Sequence, residues 1–287
     1  MNPITLLRMQ NSVLGHLLPA TVARRHARMF LTPRQLPLKE WELATEKQAQ
    51  RLSFAGHLSA LRWANSGPRI LLMHGWESRA THMAVIANAL VAQGFDVFAL
   101  DAPRHGQSGG NKSNPMEFAR AIIEADIAFG PFYGALGHSM GGAALAIASA
   151  QGVQTERCVL ISSPASLLDV LKGFARFMRL PAASTAHFIR CIEAEVGCPA
   201  GELHSGHLLS QSSPVTLLIH AQNDIEIPSA SVHAIRQHLS SAEVFLPPAL
   251  GHRKIIRDPM IAARIQQFFS DELIQESETE HGEEIVP

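Results

Sequence analysis

The sequence feature that most constrains the fold is the segment Gly-His-Ser-Met-Gly-Gly at residues 137–142. It follows an apolar run at residues 132–136 and precedes a run of small residues at helical spacing, residues 143–150. A G-x-S-x-G segment between a strand and a helix makes a very tight turn, in which glycines flank the serine and its oxygen is lifted clear of the backbone. The bare pattern occurs by chance in roughly one chain in ten of this length, so its weight comes from the flanking strand and helix. The sequence therefore predicts that Ser139 lies on a strand–turn–helix element that can carry a nucleophile.

The rest of the chain alternates short apolar runs with segments of helical periodicity. Two alternating runs meet at Gly56 and predict a hairpin. Strand–helix–strand units at the spacing seen here form parallel sheets with helices on both faces. We therefore predict an α/β fold with a mostly parallel, eight-stranded sheet flanked by helices. Its predicted strands are residues 51–55, 57–64, 69–73, 95–100, 132–136, 158–161, 215–220 and 243–246.

The alternation breaks between residues 165 and 213, where apolar residues recur at helical spacing without a strand pattern. This insertion predicts a helical lid over a core made of residues 50–164 and 214–270. Residues 1–49 are predicted to form an N-terminal helical segment and connector. Residues 271–287 are acidic and almost without apolar side chains, which is typical of a solvated, partly disordered tail.

The N-terminal segment carries apolar residues at helical spacing, with arginines between them. A helix of this kind can pack on the domain or lie on a membrane surface. Packing is the favoured interpretation, because the apolar face is short and only moderately basic. The apolar positions are Leu6, Met9, Val13 and Leu17.

Composition limits the classes of partner and cofactor. A formal charge of −1 and 17% charged residues describe an ordinary globular protein without a field that would attract nucleic acid. Cys158, Cys191 and Cys198 are odd in number and show no metal-ligand pattern, so no metal, cofactor or disulfide framework is predicted. Because no apolar run reaches the roughly 18 residues of a membrane span and the N-terminal charges do not fit a secretory signal, a cytoplasmic location is predicted. Oligomeric state is not indicated.

The order of polar residues after Ser139 fits a catalytic triad. A serine hydroxyl becomes an effective nucleophile when a histidine takes its proton and a carboxylate orients that histidine. For a serine on a strand–turn–helix element, the order along the chain is serine, acid, histidine. Asp224 and His252 each follow a predicted strand, where an open α/β sheet places its site. Ser139, Asp224 and His252 are therefore the predicted catalytic residues.

Other residues compete for these roles. Glu226, Asp101 and Asp258 are alternative carboxylates, and Asp101 is expected only to fix its own turn. His74 and His138 are expected to be structural turn residues, since the chain order already supplies a base.

Taken together, the 137–142 segment, the Asp224 loop and Gly251-His252 resemble the α/β-hydrolase fold superfamily over roughly residues 50–270. His74-Gly75-Trp76 is similar to that family's H-G-x oxyanion motif. The resemblance implies that the backbone N–H groups of Trp76 and Met140 bind the oxygen that becomes charged during the reaction.

Residues 101–108 are also similar to a turn of that superfamily, D-x-P-G-H-G-x-S. Arg104 stands where the superfamily has a glycine. The turn must therefore either avoid a positive φ at Arg104 or tolerate strain there.

The resemblance implies a serine hydrolase that cleaves a small or medium carboxylic ester, or a thioester, through an acyl-enzyme. A serine at this position argues against haloalkane dehalogenases and epoxide hydrolases, whose nucleophile is an aspartate. Carbon–carbon bond hydrolases, lactonases and perhydrolases keep the serine triad and stay open, as does a hydrolase-like binding or signalling protein with little turnover. Lid residues are the candidate substrate contacts, with plain helix packing as the alternative. They are Phe174, Phe177, Met178 and Phe188.

Overall fold

The fold is built on one eight-stranded sheet, seen in a computed structural model that describes the backbone of residues 3–282 and the side chains of residues 3–271. The strands follow one another in the order β1-β2-β4-β3-β5-β6-β7-β8. β1 and β2 form an antiparallel hairpin and β2 pairs antiparallel with β4, whereas the other neighbours are parallel. The predicted eight-stranded, mostly parallel sheet is confirmed. Its strands are β1 Gln50–Phe54, β2 Leu58–Trp63, β3 Arg69–Met73, β4 Asp96–Asp101, β5 Gly134–His138, β6 Arg157–Ile161, β7 Val215–Ile219 and β8 Glu243–Phe245.

Helices precede the sheet, cover both of its faces and form the insertion between β6 and β7. Over the described part of the chain, no helix is long and apolar enough to cross a membrane. Short 3₁₀ turns lie at Ala80–Met83, Ala200–Glu202 and Ile255–Arg257. The α-helices are α1 Pro3–Leu17, α2 Pro19–Phe30, α3 Glu40–Gln48, α4 Ala84–Ala92, α5 Pro115–Phe129, α6 Met140–Ala150, α7 Leu167–Phe177, α8 Ala182–Val196, α9 Ser205–Leu209, α10 Ala230–Arg236, α11 Gly251–Lys254 and α12 Pro259–Gly282.

The central strands are buried because helices cover both faces of the sheet. Every residue of β4, β5 and β6 is buried. Along β3, Leu71 and Met73 join the core under α5 and α6, while Ile70 and Leu72 join the core under α4 and α12. This is the two-residue alternation of a strand that packs on both sides. Because the strands from β3 to β8 run parallel, their carboxyl ends meet at one edge of the sheet, where the candidate site lies.

The insertion and the N-terminal helices pack on each other in a third core. Its apolar residues come from α2, α7 and α8, among them Ala27, Leu171 and Phe188. Helices α7 and α8 thus form a layer with α1 and α2, whereas α9 packs on α6. Residues 33–39 then cross to α3 without regular structure.

Helix α1 does not pack through the apolar face that its sequence suggests. Asn11 and Gly15 are the buried residues of α1. The N-terminal segment is helical and packs on the insertion 165–213, but the expectation that its apolar positions make that contact is wrong. Leu6, Met9, Val13 and Leu17 are between 49% and 71% exposed.

The last helix runs further than predicted. The sequence suggests a helix that closes near residue 269 and a partly disordered tail over residues 271–287. Instead, α12 continues to Gly282, and the remaining positions 283–287 lie outside the described residues. Glutamate is the commonest residue between positions 271 and 282, with four copies, and it has high intrinsic helix propensity.

Candidate active site

The turn between β5 and α6 places Ser139 in a strained backbone conformation. Its φ is 53° and its ψ is −121°, a region that non-glycine residues seldom occupy and that often marks a functional site. The Ser139 N–H donates to the carbonyl oxygen of Ile161 at 2.8 Å, which ties the turn to β6. Glycines are required beside it, because a Cβ on Gly137 would lie 2.5 Å from the backbone of Gly141.

The three predicted catalytic side chains lie in one hydrogen-bonded line. Nε2 of His252 lies 2.9 Å from Oγ of Ser139, and Nδ1 of His252 lies 2.7 Å from Oδ2 of Asp224. All three residues are buried, each about 8% exposed. The sequence order thus led to three residues that the fold brings together at the edge of the sheet.

Asp224 is held as a charged acceptor. Its Oδ1 accepts the backbone N–H groups of Glu226 and Ile227, each at 2.9 Å, which leaves Oδ2 for His252. Burial alone would raise the pKa of this carboxyl. The hydrogen bonds from His252 and the Ile227 backbone outweigh burial, so the pKa of Asp224 lies below its usual value. An ionised Asp224 fixes the Nδ1–H tautomer of His252 and leaves Nε2 free to accept a proton from Ser139.

The competing carboxylates are engaged elsewhere. Glu226 pairs with Arg253 at 2.9 Å, and Asp258 accepts the backbone N–H of Met260. Asp101 accepts hydrogen bonds from the guanidinium of Arg51 at 2.7 Å and from the backbone N–H of Ala80 at 2.8 Å. Asp101 therefore fixes the turn after β4, as expected.

Two further histidines lie beside these three residues. The ring of His138 lies next to that of His252, and its Nε2 lies 2.9 Å from the carbonyl oxygen of His252. Burial lowers the pKa of His138 to about 3, so the ring is neutral and its Nε2–H donates to that carbonyl. His220 is buried with Nε2 3.7 Å from Oδ2 of Asp224 and 3.0 Å from the carbonyl oxygen of Ile227. Sequence reasoning gave His138 a turn role only and did not single out His220.

The loop after β3 lies against Ser139. Gly75 is so close to Ser139 that a Cβ on it would lie 2.9 Å from the serine Cβ. The next residue, Trp76, stacks its side chain on Phe30 of α2 and Phe118 of α5. Met140 is the first residue of α6, so its N–H has no acceptor within the helix. The two predicted oxyanion donors thus come from backbone segments that flank Ser139.

Arg104 adopts the left-handed conformation that a glycine would occupy without cost. Its φ is 61°, and its N–H donates to the carbonyl oxygen of Gly109 at 2.7 Å. Of the two possibilities raised by the sequence, the turn tolerates strain at Arg104 and keeps the positive φ.

A cavity of about 320 Å³ opens beside Ser139 and His252. Gly75 and Trp76 form one wall, and the α11 region forms another. Basic side chains outnumber acidic ones around it, so the cavity carries net positive charge. The charged lining residues are Lys39, Arg79, Arg253, Lys254 and Arg257 against Glu42, Glu77 and Glu226.

The four residues predicted as substrate contacts lie outside this cavity. Phe188 and Met178 are buried, and Phe188 packs on Phe30 and Phe174. Phe177 is 54% exposed beside Arg8 of α1. None of the four is among the described residues that line the cavity. Their placement supports the alternative interpretation, helix packing.

Within the part of the chain that the structure describes, no group of three or more histidine, cysteine, aspartate or glutamate residues is arranged to hold a metal ion.

A protein-family model matches the central part of the chain, including the insertion between β6 and β7. Residues 65–249 match the model of the family described as serine aminopeptidase, S33, which is most of the chain. The chain belongs to this family of hydrolases. The match spans β3 to β8 and includes both Ser139 and Asp224.

Relatives of the hydrolase include esterases. The chain is 23% identical to a pimeloyl-[acyl-carrier protein] methyl ester esterase from Nitrosomonas europaea over 236 residues, which are 68% of this chain and 92% of that protein. An esterase from Pyrococcus furiosus superposes with a TM-score of 0.60 at 22% identity, covering 84% of this chain and 99% of its own. Est1E from Butyrivibrio proteoclasticus superposes with a TM-score of 0.61 at 13% identity, covering 79% and 99%. These structures show that the fold is that of α/β hydrolases.

Buried and half-buried histidines around the site are expected to make stability depend on pH. The pKa values of His82 and His105 are about 4 and that of His138 about 3, chiefly because burial disfavours the charged ring. A histidine in the unfolded chain titrates near pH 6.5. Below that pH, the unfolded chain therefore binds protons, whereas the native chain does not bind them at these histidines. Between about pH 6.5 and 4, we expect the free energy of unfolding to fall by up to about 1.4 kcal/mol per pH unit for each histidine. The raised pKa of Asp101 acts in the opposite sense.

Urea unfolding of the hydrolase at pH 7 and pH 5 measures this dependence. We expect a lower midpoint at pH 5. A midpoint that is equal or higher at pH 5 would contradict the expected pH dependence of stability.

Proposed function

We propose that the hydrolase is a serine esterase that cleaves a small or medium carboxylic ester, or a thioester, through an acyl-enzyme. The observation that carries this proposal is the continuous line from Ser139 Oγ through His252 to the Asp224 carboxylate. The strained turn, the glycine-lined loop beside it and the cavity above it support the same assignment.

In the proposed reaction, Ser139 Oγ attacks the carbonyl carbon of the ester while its proton passes to Nε2 of His252. The carbonyl oxygen becomes an oxyanion and accepts hydrogen bonds from the backbone N–H groups of Trp76 and Met140. The bond to the alcohol then breaks, and His252 protonates the leaving oxygen. Water attacks the acyl-enzyme with His252 as base, which releases the acid and restores Ser139. Asp224 stays ionised throughout and stabilises the imidazolium.

The size of the cavity and the comparisons with known proteins guide the choice of substrates. About 320 Å³ is at the lower end of the usual range for ligand cavities and suits a compact acyl group. The pimeloyl-[acyl-carrier protein] methyl ester esterase relative is named for hydrolysis of a methyl ester. The family description names an aminopeptidase, so amides belong in the same comparison.

A panel of p-nitrophenyl esters with increasing acyl length, a p-nitrophenyl hemiester with a free carboxylate, and aminoacyl p-nitroanilides tests the proposal. We expect turnover of the short esters, kcat/KM that declines for long acyl chains, and little cleavage of the anilides. Hydrolysis of anilides in preference to every ester would replace the esterase with a peptidase. Absence of turnover on the whole panel would favour a binding or signalling protein.

Gly75→Ala tests the loop that supplies the Trp76 donor. The added Cβ would lie 2.9 Å from the Cβ of Ser139 and 3.0 Å from Nδ1 of His138, so the loop must shift and carry the Trp76 N–H with it. We expect kcat on a short ester to fall about 10²-fold with KM little changed. Gly173→Ala on α7 is the matched control, since a Cβ there meets nothing within 4 Å. If both variants keep the native kcat, the Trp76 N–H is not a donor to the oxyanion.

A further inference from the structure

The outer face of α1 is an exposed row of large apolar side chains. At about 100° per residue, these positions fall within an arc of roughly 80°. Large apolar residues on a helix usually face the core, so a row of this kind marks a contact surface. Leu6 and Met9 are each 49% exposed, Val13 62% and Leu17 71%.

The opposite face of α1 is fixed to the lid, so the apolar row cannot turn inward. The Asn11 amide donates to the carbonyl oxygen of Met178 at 2.8 Å, and the Ser184 hydroxyl donates to the carbonyl oxygen of Gly15 at 2.9 Å. A Cβ on Gly15 would lie 2.5 Å from Pro181, which shows how closely α1 approaches α8. The apolar row is therefore presented outward by a well-packed helix.

Helix α2, which packs on α1, adds exposed positive charge to the same N-terminal segment. Arg24, Arg25 and Arg28 are exposed on α2. Residues 1–39 contain five arginines and one lysine and no aspartate or glutamate, although the whole chain has a net charge of −1. The positive charge is thus concentrated in the segment that exposes the apolar row.

We propose that α1 and α2 form a docking surface for anionic lipid headgroups, with the apolar row of α1 inserted at the membrane interface and the arginines of α2 on the phosphates. An exposed apolar face next to arginines without acidic residues is the pattern of helices that lie in the plane of a membrane surface. A second copy of the chain is the alternative occupant, but it would not account for the positive charge of residues 1–39. The proposal does not depend on the esterase assignment.

The docking surface lies next to the lid and the oxyanion loop. Phe30, at the end of α2, stacks on Trp76 with ring centroids 6.2 Å apart. Phe177 at the end of α7 is exposed beside Arg8. Lipid bound to α1 and α2 would therefore lie near the Trp76 loop that borders the cavity.

Co-sedimentation of the full chain with phospholipid vesicles tests the proposal. Vesicles of phosphatidylcholine with about one third phosphatidylserine are compared with pure phosphatidylcholine at low and high salt. We expect binding to the anionic vesicles at least tenfold stronger than to the neutral ones, weakened by salt. Protein that stays in the supernatant with both vesicles at low salt would overturn the proposal.

Two variants and one control locate the contact. Val13→Ser with Leu17→Ser should weaken vesicle binding at least tenfold. Arg24→Gln with Arg25→Gln and Arg28→Gln should remove the preference for anionic vesicles. Ile127→Ser on α5 is the control, since Ile127 is 76% exposed but lies outside this surface.

Gel filtration of the same proteins separates lipid docking from self-association. Equal binding by the Val13/Leu17 double variant and the control would show that α1 is not the contact. A dimer that the double variant abolishes, without vesicle binding by the native chain, would assign the surface to a second copy. Either result would overturn the proposal.

Discussion

Replacement of Ser139 by alanine is expected to lower kcat/KM on a short p-nitrophenyl ester by at least about 10⁴-fold. The variant lacks the oxygen that attacks the carbonyl. Among the described residues, no other hydroxyl group forms a hydrogen bond with His252 Nε2. The Ser139 backbone is strained at φ 53°, a strain that alanine also bears, so stability should change little. Steady-state kinetics and thermal unfolding of the variant measure the two effects separately.

Ser149→Ala is the matched control for this experiment. Ser149 is also a buried serine and lies on α6, the helix that begins beside Ser139, but outside the hydrogen-bonded line. It should keep native kinetics. If Ser139→Ala hydrolysed esters as fast as Ser149→Ala, the nucleophile would have to be another group.

Asp224→Asn is expected to lower kcat by about 10⁴-fold with KM within a few-fold of native. The side-chain carbonyl oxygen of the introduced asparagine can still accept the backbone N–H groups of Glu226 and Ile227, so the loop should be preserved. In that orientation the amide NH₂ points to His252 Nδ1. His252 must then accept a hydrogen bond at Nδ1 and carry its own proton on Nε2. A protonated Nε2 cannot take the proton of Ser139.

The same measurement on Asp258→Asn and Glu226→Gln separates Asp224 from two of the competing carboxylates. Asp258 caps α12 and Glu226 pairs with Arg253, so neither change should reduce kcat by more than a few-fold. A loss at Glu226→Gln as large as that at Asp224→Asn would show that the acid has been assigned to the wrong residue. Native activity in Asp224→Asn would exclude a carboxylate partner for His252.

The sheet and the three aligned residues were predictable because they depend on local rules. Short apolar runs between helical segments indicate parallel strands, and the carboxyl ends of such strands meet at one edge. Ser139, Asp224 and His252 each follow a strand, so their order along the chain was enough to bring them together. His220 escaped prediction because it ends an apolar strand and only its burial beside Asp224 shows a relation to the site.

Packing between the lid and the N-terminal helices was not predictable from periodicity. A periodic apolar pattern marks one face of a helix but does not say what covers that face. In α1 the pattern of Leu6, Met9, Val13 and Leu17 suggested a buried face, whereas Asn11 and Gly15 make the contact. In the lid, Phe188 and Met178 meet the N-terminal helices instead of the cavity. Both outcomes depend on contacts between segments far apart in sequence.

The most direct test of the proposed mechanism is to trap the acyl-enzyme. The hydrolase is mixed with p-nitrophenyl acetate, quenched in acid during the first turnover and mapped by peptide mass spectrometry. We predict an acetyl group on Ser139, formed with a burst of p-nitrophenol and absent from Ser139→Ala. Ester turnover with no acetyl group on Ser139, or with an acetyl group on another residue, would contradict the account.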